Sequence, residues 1–384
     1  MNTIDQLIAK HCPNGIEFKK LGDITNFERG RQLKEVDRTI GTIPVVTAGR
    51  VANGTHGESN SPGPSITISS HGAYAGFINF WTEDIWLANN VFLVRVVNDA
   101  ILLRFLYFVL NSLGRQVTAT SQGGGVPYIN ARDLMRIAVP VPPLEVQLEI
   151  VKILDKFTEL EAELEAELEA RQKQYAHYRY SHLSFGPDIP RKRVGDIAEL
   201  KYGYTAKATE SGAFRFIRIT DITDSGKLSP ADAKYVDIPD ADGEYVVRPG
   251  DLLMARTGAT YGKTLLVEEN EPSVYASFLI RIRVDEAQIL PAFYWHFAQS
   301  HWFWSQADSM VSTGGQPQFN ANRLKLVGLP VPPLEEQYRI VSLLDKFDAL
   351  VNDLSSGLPG EIAARRKQYE YYRDRLLSFE ELSA

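Results

Sequence analysis

The chain has 384 residues, 44% of them hydrophobic, which is enough for two globular domains that each bury a core. A single cysteine excludes a disulfide framework and indicates a reducing compartment, and the sequence predicts neither a signal peptide nor a membrane-spanning segment. The net charge of −7 comes from residues 141–185 and 331–384, so any contact with nucleic acid depends on local basic patches in the balanced remainder.

The first region, residues 1–138, is predicted to be rich in β-strands. Apolar and polar residues alternate between glycine turns over residues 64–80 and 87–97, which is the period of a strand with one face buried. Residues 103–112 are apolar and aromatic, and the pattern predicts one helix packed on those strands.

A helical region follows at residues 139–185. Pro142 and Pro143 cannot lie inside a helix but suit the position just before one. Apolar residues then recur at steps of three and four from Leu148 to Tyr178, and this stripe predicts a helix about 60 Å long that packs on another helix.

The second half of the chain repeats the first. Residues 139–157 (VPVPPLEVQLEIVKILDKF) match residues 329–347 (LPVPPLEEQYRIVSLLDKF), and residues 171–185 match residues 365–379. The first pair lies 190 positions apart and the second 194, because SSGLPG at residues 355–360 adds four residues. The repeat predicts a second β-rich region at 186–328 and a second helix region at 329–384, which SSGLPG breaks or kinks.

Motifs for catalysis do not appear in the sequence. It contains no G-x-G-x-x-G after a strand, no complete phosphate loop, no H-E-x-x-H and no Asn-Pro-Pro-aromatic motif of an adenine methyltransferase. One cysteine permits no zinc cluster. We therefore predict neither catalytic nor metal-binding residues.

Polar, glycine-rich loops are the strongest sign of binding. They occur at residues 49–57, 69–76 and 121–125 in the first half, and at residues 201–207, 255–263 and 312–318 in the second. Arg, Lys, Asn, Gln, Ser and Thr on such turns suit base edges and phosphates, and glycine lets the backbone approach a groove. The alternative is that they are solvated hairpin turns.

The repeated segments resemble those of a known protein family. Two PPLExQ-x-x-I-V-x-x-L-D-K-F segments, each followed by a long helix ending in K-Q-Y-x-x-Y-R and L-S-F, are similar to those of the specificity subunit of Type I restriction-modification systems. The resemblance implies an α+β fold with a pseudo-twofold internal repeat. Two β-rich target recognition domains (1–138 and 186–328) would be separated by two long antiparallel spacer helices (139–185 and 329–384).

The resemblance also implies a function without catalysis. Each recognition domain would read one half of a bipartite, asymmetric double-stranded DNA site, and the spacer helices would set the half-site separation. The helices would also dock methyltransferase and restriction subunits, on which S-adenosylmethionine, ATP and Mg are expected, so this chain would bind no cofactor. The expected location is the cytoplasm, without membrane contact.

Within this interpretation, loop residues of both domains are the candidate DNA contacts. They are Arg29, Arg31, Asn53, His56, Ser70, His71, Tyr74, Gln122, Tyr202, Lys207, Arg218, Arg256, Thr257, Tyr261, Lys263, Gln316 and Gln318. Two other classes of function compete: a self-contained DNA methyltransferase or nuclease, which requires motifs absent here, and a scaffold whose helices matter and whose loops do not.

Overall fold

The computed structural model describes residues 6, 8–10, 12–121, 126–238, 243–268, 270–312, 315–353 and 355–382. The chain forms two compact units: unit 1 comprises residues 1–163 and 362–384, and unit 2 comprises residues 164–361. Each unit includes parts of both helical regions. The division into four segments therefore stays a prediction.

Unit 1 is built on short strands, most of which pair in antiparallel fashion. They are β1 (Phe18–Lys20), β2 (Thr25–Arg29), β3 (Ile43–Val46), β4 (Thr55–His56), β5 (Ser65–Ser69), β6 (Ile78–Trp81), β7 (Trp86–Leu87), β8 (Val91–Val96) and β9 (Ala138–Pro140). One sheet has the order β2-β8-β5-β6, a second has the order β4-β3-β7 with β3 and β7 parallel, and β1 pairs with β9.

The helices that begin in unit 1 are mostly short. They are α1 (Leu21–Ile24), α2 (Leu103–Ser112), α3 (Gly114–Ala119), α4 (Ala131–Leu134) and α5 (Leu144–His182), with a 3-10 turn at Glu35–Asp37. Both faces of β8 are buried. Phe92 and Val94 join the core formed with α2, and Val91 and Leu93 pack with β3 and β7. The four-stranded sheet thus lies between a helix and the second sheet.

Unit 2 repeats these strands in the same order. They are β10 (Arg191–Arg193), β11 (Ala198–Tyr202), β12 (Phe214–Ile217), β13 (Tyr235–Val236), β14 (Leu252–Ala255), β15 (Thr264–Leu266), β16 (Ser273–Tyr275), β17 (Leu279–Val284) and β18 (Gly328–Pro330). The sheets are β11-β17-β14-β15 and β13-β12-β16, with β12 and β16 parallel, and β10 pairs with β18. The internal repeat therefore extends to strand order and direction.

The remaining helices follow the same plan. They are α6 (Val194–Ile197), α7 (Pro291–Ala298), α8 (His301–Met310), α9 (Ala321–Leu324), α10 (Leu334–Asn352) and α11 (Leu358–Leu376), with 3-10 turns at Ile219–Asp221 and Gly258–Thr260. The α+β repeat with long helices is confirmed. The helices α5 and α10 begin directly after the Pro-Pro pairs, as predicted.

A buried glutamine explains why the repeated segment has the form PPLExQ. In unit 1 the Gln147 side chain accepts a hydrogen bond from Leu102 N (2.8 Å) and donates to the carbonyls of Ala100 and Pro142 (both 2.7 Å). Gln337 makes the same three bonds in unit 2, to Leu290 N, Gln288 O and Pro332 O. Gln147 therefore links the first turn of α5 to the loop before α2. Gln337 links the first turn of α10 to the loop before α7 in the same way.

Within each unit, segments of the long helices pack against each other in antiparallel fashion. In unit 1 the Phe157 ring lies 6.3 Å from Tyr369 and 5.5 Å from Tyr372. In unit 2 the Phe347 ring lies 6.2 Å from Tyr175 and 4.9 Å from Tyr178. The apolar stripes thus meet partners on the other helical region.

Two features of the helices depart from a regular stripe. Leu148, predicted to lie on the packed face, is 56% exposed, and Tyr338 at the equivalent position is 61% exposed. The second helical region is interrupted, because α10 ends at Asn352 and α11 begins at Leu358. A side chain at Gly357 would lie 2.5 Å from Ala349 O, so only glycine fits there. The predicted break is confirmed, although Pro359 and Gly360 lie in the first turn of α11.

Candidate nucleic-acid interface

In unit 1 the glycine turn between β5 and β6 lies against the segment next to loop 121–125. Gly72 N donates to Pro127 O over 2.9 Å, and Ile129 N donates to Ser70 O over 2.8 Å. Gly72 has a φ of +84°, a left-handed conformation that glycine adopts without strain. Two loops that are about fifty residues apart in sequence therefore form one surface.

The same surface is built in unit 2. Gly258 N donates to Pro317 O over 2.9 Å, and Phe319 N donates to Arg256 O over 2.8 Å. Gly258 also has a positive φ, +72°. The backbone of this surface is thus repeated, and the two units differ in the side chains that it carries.

In each unit the residue after a strand, β2 or β11, is a glycine that lies very close to a neighbouring backbone. A side chain at Gly30 would lie 1.9 Å from Leu87 O, and one at Gly203 would lie 2.3 Å from Ala276 O, so glycine is required at both. Arg29 and Tyr202 precede these glycines at the ends of β2 and β11.

Several predicted contact residues of unit 1 are exposed: Arg29, Arg31, Asn53, His71 and Tyr74. The Arg29 guanidinium carbon lies 4.8 Å from the centre of the Phe92 ring. The His71 ring stacks on Tyr128 at 6.2 Å. Gln122 lies outside the described residues.

Two predicted residues of unit 1 are buried instead. His56 lies on β4, where its Nδ1 is 3.0 Å from Thr39 N and its ring packs edge-on against Trp86. The Ser70 hydroxyl donates to Asn90 O over 2.7 Å. Both residues are almost completely buried, so neither is among the exposed residues of the candidate interface.

In unit 2 the structure exposes four predicted residues and half-buries a fifth. Tyr202, Lys207, Gln316 and Gln318 are exposed, and Arg256 is half-buried. Thr257 is buried and pairs through its backbone with Gln318. Its side chain is therefore withdrawn from the surface.

The other predicted residues of unit 2 are held by acidic partners. Arg218 donates to both carboxylate oxygens of Asp221, at 2.7 and 3.1 Å, and these bonds hold the pKa of Arg218 above its ordinary value. The Tyr261 hydroxyl donates to Asp308 over 2.7 Å, which raises the pKa of Tyr261 to about 12.

Lys263 is likewise engaged, because it forms an ion pair with Asp224. Arg218, Tyr261 and Lys263 thus all have a partner within unit 2. Their role as DNA contacts stays a prediction, because a base or phosphate would have to displace those partners.

Two residues of the surfaces were not predicted. The Arg50 guanidinium lies over the rings of Tyr74 (5.5 Å) and Phe77 (5.8 Å). Phe278, at the turn between β16 and β17, is 52% exposed. Arg50 belongs to the predicted loop 49–57, whereas Phe278 is part of an apolar run that has the pattern of a buried strand.

The described residues contain no group of three or more His, Cys, Asp or Glu side chains arranged to hold a metal ion. Over the same part of the chain, no helix has the length and apolarity needed to cross a membrane.

Comparison with known proteins gives a family match along most of the chain. The model of the Type I restriction modification DNA specificity domain matches residues 13–170 and 188–364. A Haemophilus influenzae protein named as a type I restriction enzyme specificity subunit is 31% identical, covering 95% of this chain and 96% of the relative. The EcoR124I/EcoR124II specificity subunit of Escherichia coli is 30% identical, covering 95% and 94%.

A solved structure has the same fold. The S subunit of a Type I restriction-modification system from M. genitalium superposes with a TM-score of 0.64 over 94% of this chain and 96% of its own. Its sequence identity of 17% limits this likeness to the fold.

Proposed function

The chain belongs to the family of Type I restriction modification DNA specificity domains, and on that premise we propose that each unit reads one half of a bipartite, asymmetric DNA site. The observation that carries the proposal is a difference between equivalent positions. Ser70 N donates to Asn90 O, and Arg256 N donates to Phe278 O, both over 3.0 Å. One backbone frame thus carries different side chains, as two different half-sites require.

The proposed DNA contacts are the exposed polar residues of each surface, together with the half-buried Arg256. They are Arg29, Arg31, Arg50, Asn53, His71, Tyr74, Tyr202, Lys207, Arg256, Gln316 and Gln318. Arginine and lysine neutralise phosphates and donate to guanine, whereas asparagine and glutamine match the edge of adenine. Net charge outside the helical regions is balanced, so these local groups supply the attraction to DNA.

We propose that the long helices set the separation of the half-sites and dock the methyltransferase and restriction subunits. The helical regions carry the entire negative charge excess, which disfavours DNA and suits a protein partner. Leu148 and Tyr338 support this role, because both expose a large apolar side chain one turn into α5 and α10.

Catalysis is assigned to the partner subunits. In this proposal the methyltransferase subunits use S-adenosylmethionine, the restriction subunit uses ATP and Mg, and this chain binds none of them. The assembled complex acts on double-stranded DNA in the cytoplasm. The names of both curated relatives, which are specificity subunits of restriction enzymes, support this division of labour.

Reconstitution tests the function directly. The purified chain with S-adenosylmethionine alone is expected to transfer no methyl groups to DNA. Addition of the cognate methyltransferase subunits is expected to give adenine methylation at one bipartite sequence, mapped by sequencing of modified bases. Methyl transfer by the isolated chain would contradict the proposal.

A domain exchange tests the assignment of half-sites. Residues 186–330 are replaced by those of a relative, a boundary that keeps the β10–β18 pair intact. The exchange is expected to change the half-site read by unit 2 and to leave the other half unchanged. A change in both halves, or in neither, would show that the units do not read separately.

A further inference from the structure

Arg256 stands at the start of the glycine turn of unit 2, and three contacts hold its guanidinium in place. Its Nε donates to Ser277 O over 2.9 Å. Its central carbon lies 5.2 Å from the centre of the Tyr202 ring and 5.5 Å from that of Phe278. A long, flexible side chain is thereby confined before any ligand binds.

The two rings beside Arg256 are themselves exposed, Tyr202 by 43% and Phe278 by 52%. The Tyr202 hydroxyl accepts a hydrogen bond from Ala321 N over 3.1 Å, so this ring has a fixed position as well. Two exposed aromatic rings that flank one cation form a contact surface, and this grouping distinguishes them from isolated surface residues.

The bonding of Arg256 leaves its outer donors available. Only Nε is used, and the two terminal amino groups have no hydrogen-bond partner within the described residues. A guanidinium that is fixed in orientation and presents two parallel donors matches a pair of acceptors. A phosphate contact does not require such fixation, and the exposed, unstacked Lys207 suits that role better.

We propose that Arg256 is a specificity-determining residue of unit 2, whose two terminal amino groups donate to O6 and N7 of a guanine in the major groove. Tyr202 and Phe278 are positioning residues that fix the guanidinium. The inference rests on the proposed function and adds to it the base that this unit requires.

Unit 1 cannot make the same contact. The position equivalent to Arg256 is Ser70, which is buried and bonded to Asn90 O, and the position equivalent to Phe278 is Asn90. The contact proposed for Arg256 therefore has no counterpart at the equivalent position of unit 1.

The test uses the complex of the full chain with its methyltransferase subunits, acting on DNA in which each base pair of both half-sites is varied. R256K keeps the charge and removes the paired donors. It is expected to lower the preference for guanine at one position of the half-site read by unit 2 by about ten- to a hundredfold. Preferences at the remaining positions, and in the other half-site, should stay as in the wild type.

Three further variants separate base reading from simple attraction. R256Q is expected to shift the preference at that position towards adenine. F278A should weaken the guanine preference several-fold at the same position, because the guanidinium loses one support. K207A is the matched control for charge, and it should reduce methylation of all sequences alike and lower the dependence on salt.

The outcomes distinguish this inference from the function on which it rests. If the wild-type complex methylates no defined sequence, the proposed function fails. If it methylates one but requires no guanine in the half-site of unit 2, the assignment to Arg256 is wrong. If R256K and R256Q each reduce methylation by the same factor at every DNA sequence, and their unfolding midpoints are unchanged, then Arg256 contacts phosphate and the inference is overturned.

Discussion

The two units have the same strands in the same order. They differ in how the helix that packs on the four-stranded sheet, α2 in unit 1 and α7 in unit 2, is joined to the long helix, α5 or α10. The repeated Leu-Asp-Lys-Phe places an aspartate at the same point in both. Asp155 receives a hydrogen bond from Arg104 Nε in unit 1, and Asp345 lies beside His296 Nε2 in unit 2, both at 2.7 Å. Duplication has kept the acid and changed its partner.

The change of partner alters the character of the junction. Arg104 is always charged, and its guanidinium lies 4.4 to 5.0 Å from the ring centres of Phe80, Tyr107 and Phe108. His296 is fully buried, and burial lowers its pKa although Asp345 opposes that effect. The junction of unit 1 is thus an ion pair, whereas we expect the junction of unit 2 to weaken when the pH falls far enough to protonate His296.

The largest effect on stability is expected for the buried glutamine that both units share. Q337A and Q147A each remove three hydrogen bonds and leave buried or partly buried backbone groups without these partners, so each should lower the free energy of unfolding of its unit by about 3 kcal/mol. Denaturant titration measures the loss, and Q172A on the exposed surface of α5 is the control. Near-neutral substitutions would show that the glutamines do not tie the helix to the domain.

Arg104 gives the next largest effect, confined to unit 1. R104A removes the ion pair with Asp155 and the contacts with three rings, and it should lower the free energy of unfolding of unit 1 by about 2 kcal/mol. R136A is the control, since Arg136 is largely exposed. Equal destabilisation by both variants would argue against a special role of the junction.

A pH titration should separate the units. Because the pKa of His296 is lower in the folded protein than the ordinary value of 6.5, the unfolded chain binds a proton more readily. The contribution of neutral, buried His296 to the free energy of unfolding is complete above pH 6.5. It falls as the pH drops towards the pKa of His296 in the folded protein, by at most about 1.4 kcal/mol per pH unit.

The charged groups that act on His296 are Asp345, Arg179 and Asp348, and Tyr175 lies beside its Nδ1. H296Q should flatten the loss of stability of unit 2 between pH 7 and 5, measured by denaturant titration at each pH. H177Q, at an exposed position of the same unit, should leave the pH dependence in place. If the free energy of unfolding of H296Q varies with pH as in the wild type, groups other than His296 cause the pH dependence.

The smallest effect concerns the helix pairs. Arg366 Nε lies 2.5 Å from Glu161 Oε1 in unit 1, on an exposed face. A double-mutant cycle of R366A and E161A should give a coupling of about 0.5 kcal/mol, decreasing with salt. A coupling above 2 kcal/mol would mean that this pair, and not the aromatic contacts, holds the helices together.

Regular elements could be predicted from the sequence because their signals are local. The Pro-Pro pairs place the starts of α5 and α10, SSGLPG places the break before α11, and residues 103–112 form the predicted helix. The repeat then extends every assignment from one half of the chain to the other.

The exposure of loop residues could be predicted only in part, because burial of a loop residue depends on distant segments. His56 is covered by Trp86, and Ser70 is bound by Asn90. Arg256 owes its fixed position to Tyr202, which lies more than fifty residues earlier. No local pattern reports such contacts.

The interruption between α10 and α11 determines where the protein can change its length. Each residue inserted into the continuous α5 would turn everything beyond it by about 100° and advance it by about 1.5 Å, so the packed face would be lost. An insertion between Asn352, where α10 ends, and Leu358, where α11 begins, would not change the rotation of residues within either helix.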